Sequence, residues 1–187
     1  MSKLSCFIFD LDGTLVFTED ANFLAYQKAL AHFGIKISRT DYHQVFGQRI
    51  NELVTSLAPK LSSNQIEELK KLKSSYYAGE TNLLVLNKPV ASILKHAKEL
   101  GIICCLATSA SHDSAQTVLE YFQLEAYFDY LVFGDDVVHG KPDPECFLKC
   151  IQKFKLEPAE CLIFEDSEKG LEAAKASGAN YVQVIPD

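Results

Sequence analysis

The chain has no excess of basic residues: 18 Lys and Arg stand against 25 Asp and Glu, for a formal net charge of -7 and a pI near 5.2. A nucleic acid held through its phosphates needs the opposite balance, so nucleic acid is not an expected partner. The charges are scattered, with no long run of one sign. No apolar stretch approaches the ~20 residues of a membrane span, which removes the membrane as a partner. The six cysteines, Cys6, Cys104, Cys105, Cys146, Cys150 and Cys161, form no C-x-x-C pair. Most sit in or beside apolar, strand-like runs and read as small buried hydrophobes. Cys146 and Cys150 share a helix face, yet no histidine stands at a spacing that would complete a metal site. No signal peptide precedes Met1-Ser2-Lys3, so the expected compartment is the reducing cytoplasm. There is neither an internal repeat nor a low-complexity tract.

What the chain does have is a set of short apolar runs, at residues 4–9, 102–107, 130–133, 161–164 and 181–185. They are too continuously apolar for a half-wet sheet and suit parallel strands covered on both faces. Amphipathic helices fall between them. Val90, Ile93, Leu94, Ala97 and Leu100 form one stripe stopped by Gly101, and Ala115, Val118, Leu119 and Phe122 form another. Asp143-Pro144 reads as an N-cap followed by proline at the first helical position, and Asp166-Ser167 opens a further helix closed by Gly178. Alternation of strand and helix from about residue 89 onward is the α/β pattern.

Residues 16–85 break the alternation, with helical patterns and no comparable strand. Leu24, Ala25, Lys28, Ala29 and Phe33 fit one helix ending at Gly34, and Asn64-Gln65-Ile66-Glu67 resembles a capping box for another carrying Ile66, Leu69, Leu72 and Tyr76. The segment reads as an all-helical insert standing above the carboxyl end of the first strand, with residues 1–15 and 86–187 forming a discontinuous core.

The most informative stretch is Phe7-Ile8-Phe9-Asp10-Leu11-Asp12-Gly13-Thr14, an apolar strand ending in two carboxylates and a glycine. Ligands of an open parallel sheet bind outside the carboxyl ends of its strands. By that rule Asp10, Asp12, Thr108, Ser109, Lys141, Glu165 and Asp166 meet on one rim. Carboxylates, a hydroxyl and a lysine are the groups that Mg²⁺-assisted phosphoryl transfer requires. Each has a plainer reading. Lys141 alone suits a solvated surface lysine, Thr108 a turn cap, and Glu165-Asp166 the dipole of a helix N-terminus. Asp-x-Asp-Gly also occurs in calcium loops, but the fifth-position ligand is missing and Ala21 stands in place of the bidentate Glu.

Taken together, Asp10-Leu11-Asp12-Gly13-Thr14, Thr108, Gly140-Lys141-Pro142-Asp143-Pro144 and Phe164-Glu165-Asp166-Ser167 with Gly170 resemble the ordered motifs of the haloacid dehalogenase-like hydrolase superfamily. The likeness is to its β-phosphoglucomutase and phosphoglycolate phosphatase branch. It implies a Rossmann-like α/β core, a parallel five-stranded sheet, with the helical insert as a cap. It further implies Asp10 as the nucleophile that becomes an aspartyl-phosphate and Asp12 as acid and then base. Thr108, Lys141 and neighbouring backbone N–H groups would bind the phosphoryl group, with Ser109 beside them. Mg²⁺ would be held by Asp10, the Asp12 carbonyl and Asp166, with Glu165 acting through water. In the cap, Gly47-Gln48-Arg49 occupies the place of the specificity loop. There Arg49 either binds a substrate anion or pairs with Glu52. Lys73 resembles a substrate-contacting cap lysine, or else belongs to a solvated basic face. Phe17 and Asn22 depart from the mutase pattern, the latter replacing a hinge histidine. The expected function is Mg²⁺-dependent hydrolysis of a small phosphorylated metabolite by a cytoplasmic monomer, with a sugar-phosphate mutase or a catalytically silent binding protein as alternatives.

Overall fold

In a computed structural model, described over residues 3–185, five parallel strands form one sheet in the order β5-β4-β1-β6-β7. These are β1 (Cys6–Phe9), β4 (Ile103–Ala107), β5 (Tyr130–Val132), β6 (Cys161–Glu165) and β7 (Asn180–Gln183). β1 is central, with Phe9 paired to Leu106 of β4 on one side and to Phe164 of β6 on the other. The chain winds outward through β4 and β5, then returns across β1 to lay down β6 and β7, so the winding reverses at the end of β1.

The two faces of the sheet follow the period of two along each strand. Phe9, Cys104, Leu106 and Phe164 turn to a core shared with α5 (Lys88–Glu99) and α6 (His112–Phe122). Cys6, Ile8, Cys105, Ala107, Cys161 and Ile163 turn to the opposite core, beneath α7 (Glu145–Lys153) and α8 (Glu168–Ser177). All six cysteines are buried and unpaired. Phe9 and Phe164 stack with ring centroids 4.7 Å apart and planes at 4°, a contact that adds geometric definition to area burial.

Helix starts follow side-chain chemistry. Asn87 caps α5, and Ser167 caps α8 by accepting from Gly170 N–H at 3.1 Å. α7 starts later than the sequence pattern suggests: Pro144 is the N-cap, while Asp143 accepts from Glu145 N–H at 2.9 Å. Asp143 thus supplies the acceptor from one residue further out.

Between the core's first and second segments lie α1 (Glu19–Ala31), α2 (Arg39–His43), α3 (Ile50–Leu57) and α4 (Ser63–Ala78). They enclose a core of their own around Tyr26, Leu30, Tyr42, Leu53 and Leu69. α4 departs from its sequence reading in two ways. Its capping box is Ser62 with Gln65, not one opened by Asn64. Its buried face carries Leu69, Lys73 and Tyr77 while Tyr76 lies outward, because the stripe is rotated to pack α4 on α1. A ribbon that the sequence pattern missed joins this layer to the core: β2 (Val16–Phe17) pairs antiparallel with β3 (Val85–Leu86). Both strands are too short to show a period.

Candidate active site

The reversal point gathers the polar residues. Asp10 ends β1 and is buried, and the buried Lys141 Nζ donates to Asp10 Oδ1 at 2.6 Å, to Glu165 Oε2 at 2.6 Å and to the Ala107 carbonyl at 3.1 Å. An ammonium has three N–H groups, so those of Lys141 are all engaged. The lysine therefore fixes the orientation of both carboxylates.

Glu165, also buried, accepts on its other oxygen from the Ser167 hydroxyl at 2.8 Å and from the backbone N–H groups of Asp166 and Ser167. It pins the loop that carries Asp166. Asp166 in turn accepts from Thr14 Oγ1 at 2.6 Å. Two glycines permit these approaches. A Cβ on Gly13, which has φ +92°, would overlap the Asp166 carboxylate, and one on Gly170 would overlap that of Glu165. Gly13 and Thr14 belong to the motif read from the sequence, but their contacts with Asp166, 152 residues from Thr14, had no local signal.

Charge in this cluster is unbalanced. Burial, with Glu165 next, holds Asp10 well above the ordinary carboxylate range, Lys141 only partly offsetting it. Burial would lower Lys141, yet Asp10 and Glu165 outweigh it and hold the ammonium well above its usual range. Asp166 is pushed up to about 6, again chiefly by burial. One ammonium faces three carboxylates. Oxygen atoms of Asp10, Glu165 and Asp166 lie within 4.8 Å of one another, a set of hard donors that fits a divalent cation such as Mg²⁺.

Asp12 is half-buried and is held from the other side. It accepts from Thr18 Oγ1, from Asn22 Nδ2 at 3.4 Å and from Thr108 Oγ1 at 3.4 Å, while Thr108 Oγ1 accepts from Ala110 N–H at 3.0 Å. Thr108 thus sits next to the second carboxylate while organising the loop after β4. Thr18 and Asn22 belong to the start of the helical layer, so its first helix is bonded directly to Asp12.

A cavity of about 390 Å³ opens over these groups. Its floor includes Asp10, Asp12, Thr108, Ser109, Lys141 and Asp166, and its roof Gly47, Gln48, Tyr26, Tyr42, Phe46 and Lys73. Gly47 and Ser109, both named from the sequence, are therefore on its wall. Arg49 is not on that wall: its Nη1 donates to the Val138 carbonyl at 3.0 Å. Lys73 is on the wall and is buried rather than solvated, with Nζ donating to Ser114 Oγ at 2.8 Å.

The sequence matches the haloacid dehalogenase-like hydrolase family over residues 7–184. The chain belongs to that family. A phosphorylated carbohydrates phosphatase of Thermotoga maritima is 34% identical over 177 residues, spanning 94% of this chain and 82% of the relative. The fructose-1-phosphate phosphatase YqaB of Escherichia coli is 28% identical over 181 residues, spanning 95% and 94%. The crystal structure of a hydrolase from Pseudomonas syringae superposes with a TM-score of 0.86 at 27% identity, covering 97% of this chain and 85% of that one. The protein is a phosphoric monoester hydrolase with an α/β Rossmann-like fold. Among the described residues no helix is long and apolar enough to cross a membrane.

Proposed function

We propose that this hydrolase releases inorganic phosphate from small sugar phosphates, by way of a phosphoryl group carried on Asp10. The observation that carries the reading is the Asp10 carboxylate, held by Lys141 at 2.6 Å and facing a cavity of about 390 Å³, a volume suited to a small ligand. Relatives that act on phosphorylated carbohydrates and on fructose 1-phosphate support the substrate class.

In this mechanism an Asp10 oxygen attacks phosphorus and the ester oxygen departs with a proton from Asp12. Water then attacks the phosphorus of the aspartyl-phosphate, giving its proton to Asp12 and returning Asp10 as a carboxylate. Lys141 holds Asp10 in position, and the roof excludes bulk water. Thr108 and Ser109 approach the phosphoryl oxygens, while Gly47 and Lys73 line the space for the leaving sugar. Mg²⁺ would be held by Asp10, Asp166 and the Asp12 main-chain carbonyl, with Glu165 fixing the Asp166 loop; when bound it supplies positive charge to the phosphoryl oxygens. The four-helix layer, residues 16–85, acts as the cap, and residues 1–15 and 86–187 as the catalytic core. Six unpaired buried thiols suit a reducing cytoplasm.

Water is favoured over a second sugar hydroxyl as the acceptor because Asn22, which donates to Asp12, offers no titratable imidazole to couple cap closure to proton transfer. A panel of sugar phosphates, assayed for released phosphate with and without Mg²⁺, tests the reading. Mg²⁺-dependent release supports it. Isomerisation without free phosphate would assign the mutase reaction, and inertness towards every ester would assign a silent binding protein.

A further inference from the structure

Lys73 is the buried cation that the phosphoryl site does not use. Its residue is 5% exposed, its Nζ lies 4.2 Å from the Tyr77 ring centroid and 5.3 Å from that of Tyr26, and its hydrogen-bond acceptor is the neutral Ser114 hydroxyl at 2.8 Å. No carboxylate pairs with it among the described ion pairs, although it lines the cavity. Of the other lysines lining the cavity, Lys141 is buried but engaged by Asp10 and Glu165, and Lys70, Lys71 and Lys169 are half-buried or exposed.

We propose that Lys73 is a carbonyl-reactive amine: a phosphorylated aldehyde, including an open-chain sugar phosphate, seated in this cavity forms a reversible imine with its Nζ. The inference rests on the cavity being the substrate pocket. Burial, eased only by Asp12, pushes the Lys73 ammonium down to about 8, so its neutral fraction near neutral pH is far larger than that of a solvated lysine. The neutral amine adds to the carbonyl carbon to give a carbinolamine. Loss of that hydroxyl as water, with the nitrogen losing its remaining proton or staying protonated, completes the C=N bond. Ser114 Oγ, which accepts from Lys73 Nζ and also from Ser111 Oγ at 3.2 Å, is placed to exchange protons with the nitrogen. A surface lysine, kept protonated by water, lacks this preference.

The test uses the intact protein with pyridoxal 5′-phosphate as the probe, followed by borohydride, which reduces an imine to a stable secondary amine, and peptide mass mapping. The expected result is close to one adduct per chain, located on Lys73. The adduct at that position should be lost in Lys73→Arg, which keeps the charge, and in Lys73→Met, which keeps the bulk. Labelling spread over Lys70, Lys71 and Lys169 with Lys73 unmodified would overturn the proposal, as would reversible competition with substrate and no fixed adduct. The readout does not depend on turnover: a Lys73 adduct in a protein that hydrolyses no ester would sink the proposed function alone, and hydrolysis without an adduct would sink this inference alone.

Discussion

Arg49, at the start of α3, donates from Nη1 to the Val138 carbonyl at 3.0 Å, tying the helical layer to the loop that leads into Lys141. Gly140 accommodates the arginine stem, since a Cβ there would overlap it. Arg49→Met should therefore lower kcat roughly tenfold, the loss of about one charge-assisted hydrogen bond, with a smaller effect on KM. Steady-state kinetics distinguish this from substrate binding by Arg49. A raised KM at unchanged kcat would show that the guanidinium contacts the substrate instead.

Lys73→Met should stabilise the ligand-free protein. The Lys73 ammonium, normally near 10.5, is pushed down to about 8 by burial, which corresponds to about 3 kcal/mol against the charged form. Below pH 8 both folded and unfolded states hold the proton and the penalty is full. Between 8 and 10.5 the folded state sheds it while the unfolded state keeps it, so stability of the unmodified protein rises with pH. The advantage of Lys73→Met in chemical denaturation should shrink across that window. An advantage independent of pH would contradict the assignment.

Gly170→Ala should destabilise the fold by about 2 kcal/mol and cut activity by more than destabilisation explains, because the new Cβ displaces a Glu165 carboxylate that holds both Lys141 and the Asp166 loop. Thermal melts and assays below the melting range check the two effects separately. An unchanged Tm would mean that Glu165 moves aside freely.

Removal of divalent metal should stop turnover, and Asp166→Ala should raise the Mg²⁺ concentration needed for half-maximal rate by at least tenfold, since it removes one hard oxygen from the three-carboxylate cluster. Titration of activity with Mg²⁺ after EDTA treatment measures both. Full activity in excess EDTA would contradict the metal role.

The core was legible in the sequence because its signals are local. Short, continuous apolar runs such as those around Phe7-Ile8-Phe9 and Ile163-Phe164 suit buried strands, and the polar residues that follow them meet at the winding reversal of the sheet. Contacts that depend on tertiary placement were less legible. The Thr14–Asp166 hydrogen bond spans most of the chain, and the Arg49–Val138 bond depends on how the helical layer sits over the core. α4 shows the limit of periodicity. Its apolar residues suit two overlapping faces, and contact with α1 selected the one that buries Lys73 and Tyr77 and leaves Tyr76 outside.

The central claim, that Asp10 carries the phosphoryl group, is tested most directly by the rate of phosphate release from a sugar phosphate by purified Asp10→Asn. The amide keeps the shape of the side chain but supplies no anionic nucleophile. The account predicts a fall in kcat of at least roughly a thousandfold with the fold intact by circular dichroism. Near-unaltered kcat in a sample free of the original protein would contradict it.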